Sequence, residues 1–290
     1  MKRPKQDSAS NWIPLLVFGA TALVYFPVIN WLMGQALSNE QLSHAFLVFL
    51  LTGVLLATQR DLSFRPAWKF SDTSQNVLIL AYILLAISIF ARLNILILIS
   101  LSLSLASLML FVFGSSRRRF IFSSAGAFAI FTFLATLLPV MDWPLRTVAG
   151  KWATLGLRLM GQEVQLGVYD DGSEPMLVLL NNGNPFHVAA ECNGFGMLSS
   201  CLLMALMIVL YRHLSPAGRL GRILAAAFLA VLFNSIRIIL IVLIAPRIPT
   251  DHYMLMHEAV GLATTYGGLA LLYLLLNPTP NLNLNPITKG

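Results

Sequence analysis

Long apolar stretches dominate the chain and follow one another at short intervals. A bilayer core of about 30 Å requires roughly 20 apolar residues per helix. On this basis the pattern predicts eight transmembrane helices, at residues 12–33, 42–58, 76–91, 93–113, 120–140, 194–211, 220–245 and 257–276. Only a few residues around Arg92 separate the third stretch from the fourth, so these two are expected to form a tight helical hairpin. The pattern therefore predicts an all-α polytopic membrane protein.

The longest interruption, residues 141–193, lies between the fifth and sixth stretches. Its first part, Trp143–Met160, has an amphipathic pattern. The remainder alternates short apolar runs with turn-forming sequences, which predicts a small β element leading into the sixth helix. The runs are Val164–Val168, Met176–Leu180 and Phe186–Ala190, and the turns are Asp170-Asp171-Gly172 and Asn181-Asn182-Gly183-Asn184-Pro185.

The whole chain, 1–290, is interpreted as a single integral membrane domain. Its predicted parts are five N-terminal spans at 12–140, an extracytoplasmic loop at 141–193, three C-terminal spans at 194–276 and a cytoplasmic tail at 277–290.

Composition supports a membrane protein and excludes several other classes. Hydrophobic residues make up 57% of the chain and charged residues 11%, whereas soluble proteins average about 25% charged residues. A soluble enzyme, a disordered chain, a coiled coil and a disulfide scaffold are thereby excluded. The net charge of +7 does not indicate a nucleic-acid partner, because the basic residues form short clusters between apolar runs and not one basic face.

Those basic clusters predict the orientation of the chain in the membrane. If the N-terminus is cytoplasmic, 13 Lys and Arg residues fall in cytoplasmic segments and five in outer segments. The positive-inside rule then places both termini in the cytoplasm. Lys2, Arg3 and Lys5 precede the first stretch, so a cleaved signal peptide is the competing interpretation. The length of that stretch favours an uncleaved anchor.

Polar residues near the membrane are concentrated in the last hundred positions, and each is a functional candidate because it is costly to bury in lipid. They form three groups that the predicted topology places in the outer leaflet. The groups are Glu191-Cys192-Asn193-Gly194 at the sixth span, Asn234-Ser235-Ile236-Arg237 in the seventh, and Asp251-His252-Tyr253 with His257-Glu258-Ala259-Val260-Gly261 before and in the eighth.

A cysteine, an arginine and a histidine at this depth suit acyl transfer. Cys192 is the candidate nucleophile, and Arg237 the candidate stabiliser of a thiolate or oxyanion. His257 is the candidate general acid and base, with His187 and His252 as alternatives. These residues also have structural interpretations: Arg237 would donate hydrogen bonds to backbone carbonyls, and His257 would cap a helix. The second cysteine, Cys201, lies in mid-span and is interpreted as an apolar filler.

At these positions the chain resembles the exosortase/archaeosortase family of membrane cysteine transpeptidases. Members carry a Cys-Ser/Asn-Gly motif at a helix start, Asn-x-x-Arg on the next helix and a histidine opening the one after. The match covers roughly residues 188–261. Many members have serine after the cysteine; Asn193 leaves the nucleophile intact but leaves the subfamily open. Glu191, Asn193, Gly194 and Asn234 are the candidate substrate-binding or supporting groups.

The resemblance implies a substrate and a location. The substrate would be an exported protein with a C-terminal tail made of a short motif (Pro-Glu-Pro-like in many bacteria), one membrane helix and a basic cluster. Cleavage would pass through a thioester on Cys192, followed by transfer to a surface acceptor such as a lipid or polysaccharide. The location would be a bacterial inner membrane or an archaeal plasma membrane. Neither a metal nor an organic cofactor is expected.

Two other functions fit parts of the sequence. In a transporter or flippase, Arg237 would bind an anionic, lipid-linked substrate, and replacement of Cys192 would be tolerated. In a membrane scaffold for polysaccharide assembly, none of the three residues would matter individually. A serine protease is disfavoured because no Gly-x-Ser-x-Gly lies on a span, and a metalloprotease because no His-Glu-x-x-His is present.

Overall fold

The computed structural model describes residues 12–59, 66–169, 176–188, 192–212 and 214–276. Within these ranges the chain is mostly helical, with one small sheet. The helices are α1 (Trp12–Ser38), α2 (Glu40–Gln59), α3 (Asp72–Ala91), α4 (Asn94–Phe113), α5 (Arg118–Leu159), α6 (Phe195–Tyr211), α7 (Pro216–Ile244) and α8 (Tyr253–Leu276). The strands are β1 (Val164–Tyr169), β2 (Met176–Asn181) and β3 (Asn184–His187).

The predicted polytopic all-α fold is confirmed. Among the described helices, seven are long and apolar enough to cross a membrane, and α6 is equally apolar but only 17 residues long. Large apolar side chains point outward from many of them; Phe90 is 89% exposed and Leu23 76% exposed. Such exposure is unfavourable in water and is expected for side chains that face lipid. The protein is therefore a multi-pass membrane protein.

The predicted hairpin between the third and fourth spans is present. Ser71 caps α3 by accepting a hydrogen bond from the Ser74 N–H at 3.3 Å. The helix ends at Arg92, whose left-handed backbone (φ 54°) lets its N–H donate to the Ser88 carbonyl. Helix α4 then begins at Asn94. A left-handed residue after the last helical turn is a common way to end a helix.

Helix α5 differs from the prediction. The sequence indicated a span at 120–140 followed by a separate amphipathic stretch, but the structure has one helix of 42 residues that continues to Leu159. Pro139 and Pro144 lie inside it. Each proline removes one helical hydrogen bond and normally bends or ends a helix, but here the helix continues through both. The sequence suggested two elements because the apolar run ends near residue 140 and charged residues recur from Asp142 onward.

The described chain divides into two compact units. The first contains α1 to α4, α5 up to Leu145, and α6; the second contains the rest of α5 from Arg146, the three strands, the segment to Gly194, and α7 and α8. Apolar side chains fill the first unit, with Phe131, Phe195 and Leu203 buried in one cluster. Close approach of α6 to α2 there depends on Gly196, since a Cβ would lie 3.2 Å from the Cβ of Gln41.

In the second unit the three strands form an antiparallel sheet in the order β1-β2-β3. Asn182 and Gly183, both with positive φ (49° and 80°), form the two-residue turn between β2 and β3, as the Asn-Gly sequence predicted. The third strand begins two residues earlier than predicted, because this short turn pairs Asn184 directly with Asn181. The predicted end of that strand, residues 189–190, and the predicted turn at 170–172 lie outside the described residues.

One face of this sheet packs on helices of the same unit. Leu177 and Leu179 of β2 are buried with Ala153 and Leu157 of α5 and with Ile238 of α7. Ala149, Ala153 and Leu157 recur every fourth residue, so they form the apolar stripe of the predicted amphipathic stretch. The packing holds the β2–β3 hairpin next to the α7 segment that carries Asn234 and Arg237.

Candidate active site

Cys192 lies between the sheet and α6, in the segment that links the two. It follows the end of β3 at His187 by five residues and precedes the first residue of α6, Phe195, by three. Its side chain is buried within the same apolar cluster as Val188 and Ile238. Neither Cys192 nor Cys201 forms a disulfide. Cys192 is thus a thiol in a mainly apolar setting.

The Cys192 thiol contacts His257. Its Sγ lies 3.5 Å from His257 Nε2, within hydrogen-bonding range for sulfur, and the tautomer of the ring decides which atom donates. One turn earlier on α8, the ring of Tyr253 stacks on the imidazole with centroids 6.1 Å apart and planes 30° apart. The Tyr253 ring therefore lies beside the imidazole that contacts the thiol.

The backbone of Cys192 is held by Asn234. The buried Asn234 amide Nδ2 donates to the Cys192 carbonyl at 3.0 Å. Gly194 makes this approach possible, because a Cβ there would lie 2.6 Å from that same Nδ2. Gly194 also has φ of 82°, a conformation that residues with a side chain rarely adopt. Both candidates therefore position the Cys192 backbone.

Arg237 reaches α8 one turn beyond His257. A Cβ added to Gly261 would lie 3.0 Å from its Nη2 and 3.1 Å from its Cζ. The half-buried guanidinium is therefore in contact with the α8 backbone at Gly261. Since His257 and Gly261 are four residues apart, they share one face of the helix.

A cavity of about 380 Å³ opens beside the thiol. Cys192, His257, Tyr253 and His187 contribute its polar and aromatic groups, while Arg237 is not among its described lining residues. The apolar lining comes from the sheet, the segment after it and α7: Leu179, Pro185, Phe186, Val188, Ile238, Ile241 and Val242.

The remaining sequence candidates occupy different places. His187, at the end of β3, is exposed and lines the same cavity. His252 is exposed before α8 and does not belong to the described cavity lining. Asn193 is buried beside Cys192 in sequence. Glu191 lies outside the described residues. Of the three histidines considered as the base, His257 is the one in contact with the sulfur.

Within the described ranges, no group of three or more His, Cys, Asp or Glu side chains is arranged to hold a metal ion. The chemistry available to the residues in contact is that of a thiol and an imidazole. Transfer of the thiol proton to His257 would produce a thiolate beside an imidazolium, which is the usual activated form of a nucleophilic cysteine.

Sequence reasoning assigned no role to Tyr253 or Gly261, although both belong to the quoted motifs. Their spacing carried a usable signal: Tyr253 is four residues before His257 and Gly261 four after it, so all three share a face of α8. The cavity-lining residues Phe186 and Ile241 carried no such signal, because their proximity to Cys192 depends on how the sheet packs on α7.

Comparison with known proteins identifies the family. No curated protein and no solved structure matches the chain. A family model described as Transmembrane exosortase (Exosortase_EpsH) matches residues 31–274. That range covers well over half of the chain and includes every helix that contributes a side chain to the site. The protein belongs to the transmembrane exosortase family.

Proposed function

We propose that this exosortase-family protein is a membrane cysteine transpeptidase that cleaves the C-terminal sorting tail of exported proteins and transfers them to a surface acceptor. The observation that supports it most strongly is the 3.5 Å contact between Cys192 Sγ and His257 Nε2 beside an open cavity. A thiol and an imidazole in contact, accessible to a peptide, are the minimum that thioester chemistry requires.

In the proposed reaction His257 first accepts the thiol proton of Cys192. The thiolate attacks the carbonyl carbon of the scissile peptide bond and forms a tetrahedral oxyanion. The C–N bond then breaks, and the leaving amine takes its proton from the His257 imidazolium. The remaining thioester is attacked by the acceptor, whose proton passes to His257 as the Cys192 sulfur leaves. The sulfur regains that proton at the end of the cycle.

Arg237 is proposed to stabilise the negative charge of the thiolate or of the oxyanion. A guanidinium remains protonated at any relevant pH, and in a site from which water is largely excluded its charge acts strongly. Its contact with α8 at Gly261 supports this role, because it holds the positive charge one turn from His257.

Asn234 and Gly194 are proposed to hold the nucleophile in place, with Asn193 and Glu191 as further supporting or substrate-binding groups. The hydrogen bond from Asn234 to the Cys192 carbonyl supports the first of these roles. Fixing the backbone reduces the freedom of the sulfur, and attack requires the reacting atoms to be held about 3–3.5 Å apart in the right orientation.

The substrate and location follow from the family and from charge. The proposed substrate has one membrane helix preceded by a short recognition motif. With both termini cytoplasmic, the site would lie in the outer leaflet of a bacterial inner or archaeal plasma membrane, at the depth of that motif. The distribution of basic residues supports this orientation. The edge of β3 could bind the motif by strand addition.

The decisive experiment is to trap the intermediate. Membranes that contain the protein and a tagged exported protein with a sorting tail from the same genome would be examined for a covalent adduct. We expect an adduct on Cys192 that hydroxylamine releases, because thioesters are cleaved by that reagent. Cys192→Ala should abolish it. Cys201→Ala, the matched control, should change its yield by less than about twofold, because Cys201 lies within α6 and is not among the described lining residues of the cavity.

Two results would contradict the proposal. One is an adduct that persists in Cys192→Ala. The other is the absence of any adduct with all such tails, together with normal translocation of a lipid-linked anion by Cys192→Ala. The second result would support a transporter that uses Arg237.

A further inference from the structure

Most of the residues that line the cavity beside Cys192 are apolar. We propose that this cavity is a specificity subsite for an uncharged, apolar side chain, carried by the residue whose carbonyl carbon Cys192 attacks. The inference rests on the proposed function, because it takes Cys192 as the nucleophile.

The position of the cavity determines which substrate residue it receives. Cys192 and His257 are both lining residues, so a carbonyl carbon within reach of the sulfur lies beside the cavity. The side chain nearest that carbon is attached to the α-carbon of the same residue and begins two bonds away. This residue stays attached as the thioester while the amine departs, so its side chain occupies the cavity through both halves of the reaction.

The residues that line the cavity determine which kind of substrate side chain binds favourably there. From the sheet, the lining includes Leu179 and Phe186, which are directly paired across β2 and β3. From α7, it includes Ile238, Ile241 and Val242, three buried residues. These side chains present only hydrocarbon, and burying an apolar side chain against them is favourable.

Charged side chains are disfavoured by the same lining. The described lining residues include no Asp, Glu, Lys or Arg. An ammonium group would therefore lose water without gaining a carboxylate partner from these residues, which is costly. For a carboxylate, the described residues offer the histidines and Arg237, one helical turn from His257, as partners. The two histidines, His187 and His257, contribute their rings to the lining, and an acidic ligand tests whether they offset that cost.

Size is limited as well. The volume of about 380 Å³ is near the lower end of the range of ligand pockets, about 300–1,000 Å³. A cavity of this size has room for a large side chain such as that of Leu or Phe and for adjoining peptide backbone, but not for a whole lipid molecule. The half-buried Phe186 is the wall residue whose replacement changes this volume with least disturbance to the fully buried core.

The test uses acetylated aminoacyl vinyl sulfones that differ only in one side chain: Ala, Leu, Phe, Asp or Lys. Their electrophilic carbon accepts the thiolate, and a proton completes the addition, so labelling needs no natural tail. The rate of labelling at Cys192 in the full-length protein in membranes would be followed by peptide mass spectrometry, with Cys192→Ser as the blank. We expect the Leu probe to label at least about tenfold faster than the Asp and Lys probes.

Variants at Phe186 test whether the cavity causes the preference. Phe186→Ala enlarges the cavity and should raise the ratio of Phe-probe to Ala-probe labelling by at least about fivefold; Phe186→Trp should lower it. Ile241→Val is a milder enlargement in case the first two fail to fold. Leu180→Ala is the matched control, because Leu180 is 39% exposed on the opposite face of β2. It should leave the ratio within about twofold, because Leu180 is not among the described lining residues of the cavity.

Equal labelling by the Leu, Asp and Lys probes would overturn the subsite, and so would a ratio that Phe186→Ala and Leu180→Ala change equally. Labelling by small methyl methanethiosulfonate but by none of the vinyl sulfones would also overturn it. None of these outcomes depends on whether a natural tail forms a thioester, so failure of the subsite is distinguishable from failure of the proposed function.

Discussion

The helix pairs α3–α4 and α7–α8 both place polar side chains within apolar helices, but they use them differently. In α3–α4 the polar groups satisfy each other. Ser74 Oγ donates to the Ser107 carbonyl at 2.9 Å, and Ser107 Oγ donates to the Ser74 carbonyl at 2.7 Å. Both serines are fully buried. Such small residues let two helices approach closely and join them.

In α7–α8 the polar groups are directed at one segment and one cavity. Asn234 donates to the Cys192 backbone, and His257 contacts the Cys192 sulfur beside the cavity. A polar residue in an apolar helix can therefore either hold two helices together or contribute to a reactive site. The two pairs differ in the partners of their polar side chains. In α3–α4 the partners belong to the neighbouring helix, whereas in α7–α8 the partner is Cys192, whose thiol lies beside a cavity.

The strongest test of this contrast is the removal of His257. His257→Gln should lower the rate of Cys192 adduct formation by about 10²–10⁴-fold, the usual contribution of a general acid–base group. His187→Gln and His252→Gln serve as controls and should each cost less than about tenfold. The measurement is single-turnover adduct formation with a tagged tail substrate. An equal loss for His187→Gln would transfer the role of base to that residue.

A double-mutant cycle tests the positioning pair. Asn234→Ala should reduce the rate by about tenfold, since it removes a buried hydrogen bond to the Cys192 backbone, and such a bond contributes about 0.5–1.5 kcal/mol. Gly194→Ala should reduce it at least as much, because the new Cβ would overlap the Asn234 amide. In the double variant that overlap is gone, so the combined loss should be smaller than the product of the single losses. Fully multiplicative losses would show that the two residues act independently.

A smaller effect is expected at Gly261. Gly261→Ala places a Cβ about 3.0 Å from the Arg237 guanidinium, so the guanidinium must shift. Misplacement of a reacting group by 1 Å can lower a rate by about 10²-fold. For this smaller shift we expect the rate of adduct formation to fall by about three- to tenfold. Gly267→Ala on the same helix is the matched control, because nothing lies within 4 Å of its added Cβ. If both variants retain full activity, the contact between Arg237 and Gly261 does not matter for function.

The smallest effect should come from α3–α4. Ser107→Ala removes one member of the reciprocal pair and should lower the free energy of unfolding by about 0.6 kcal/mol, the average for a hydrogen bond between membrane helices. Unfolding in mixed micelles by titration with a denaturing detergent would measure it. The yield of Cys192 adduct per folded molecule should stay within about twofold. A selective loss of adduct yield at unchanged stability would remove the distinction between the two helix pairs.

Local patterns were sufficient for much of the fold. The apolar runs located the spans, because a segment of about 20 apolar residues in a bilayer must hydrogen-bond all its backbone groups internally and therefore forms a helix. Asn182-Gly183 located the hairpin turn because both positions require positive φ. Local pattern failed at α5, where the change from an apolar run to an amphipathic stretch near residue 140 suggested two elements and the helix nonetheless continues through Pro139 and Pro144 to Leu159. Whether a proline bends or ends a helix depends on what packs around it.

For the candidate site, too, some features were determined by the sequence and others only by the tertiary structure. Sequence by itself identified Cys192, Asn234, Arg237 and His257 as candidates, since polar residues are costly in apolar helices and these match family motifs. Tertiary structure decided which contacts they make: that Asn234 bonds the Cys192 backbone, that His257 and not His252 contacts the sulfur, and that Arg237 rests on Gly261. Those contacts depend on how each helix is rotated about its axis and how closely it approaches its neighbours. Packing of residues far apart in the chain sets both quantities.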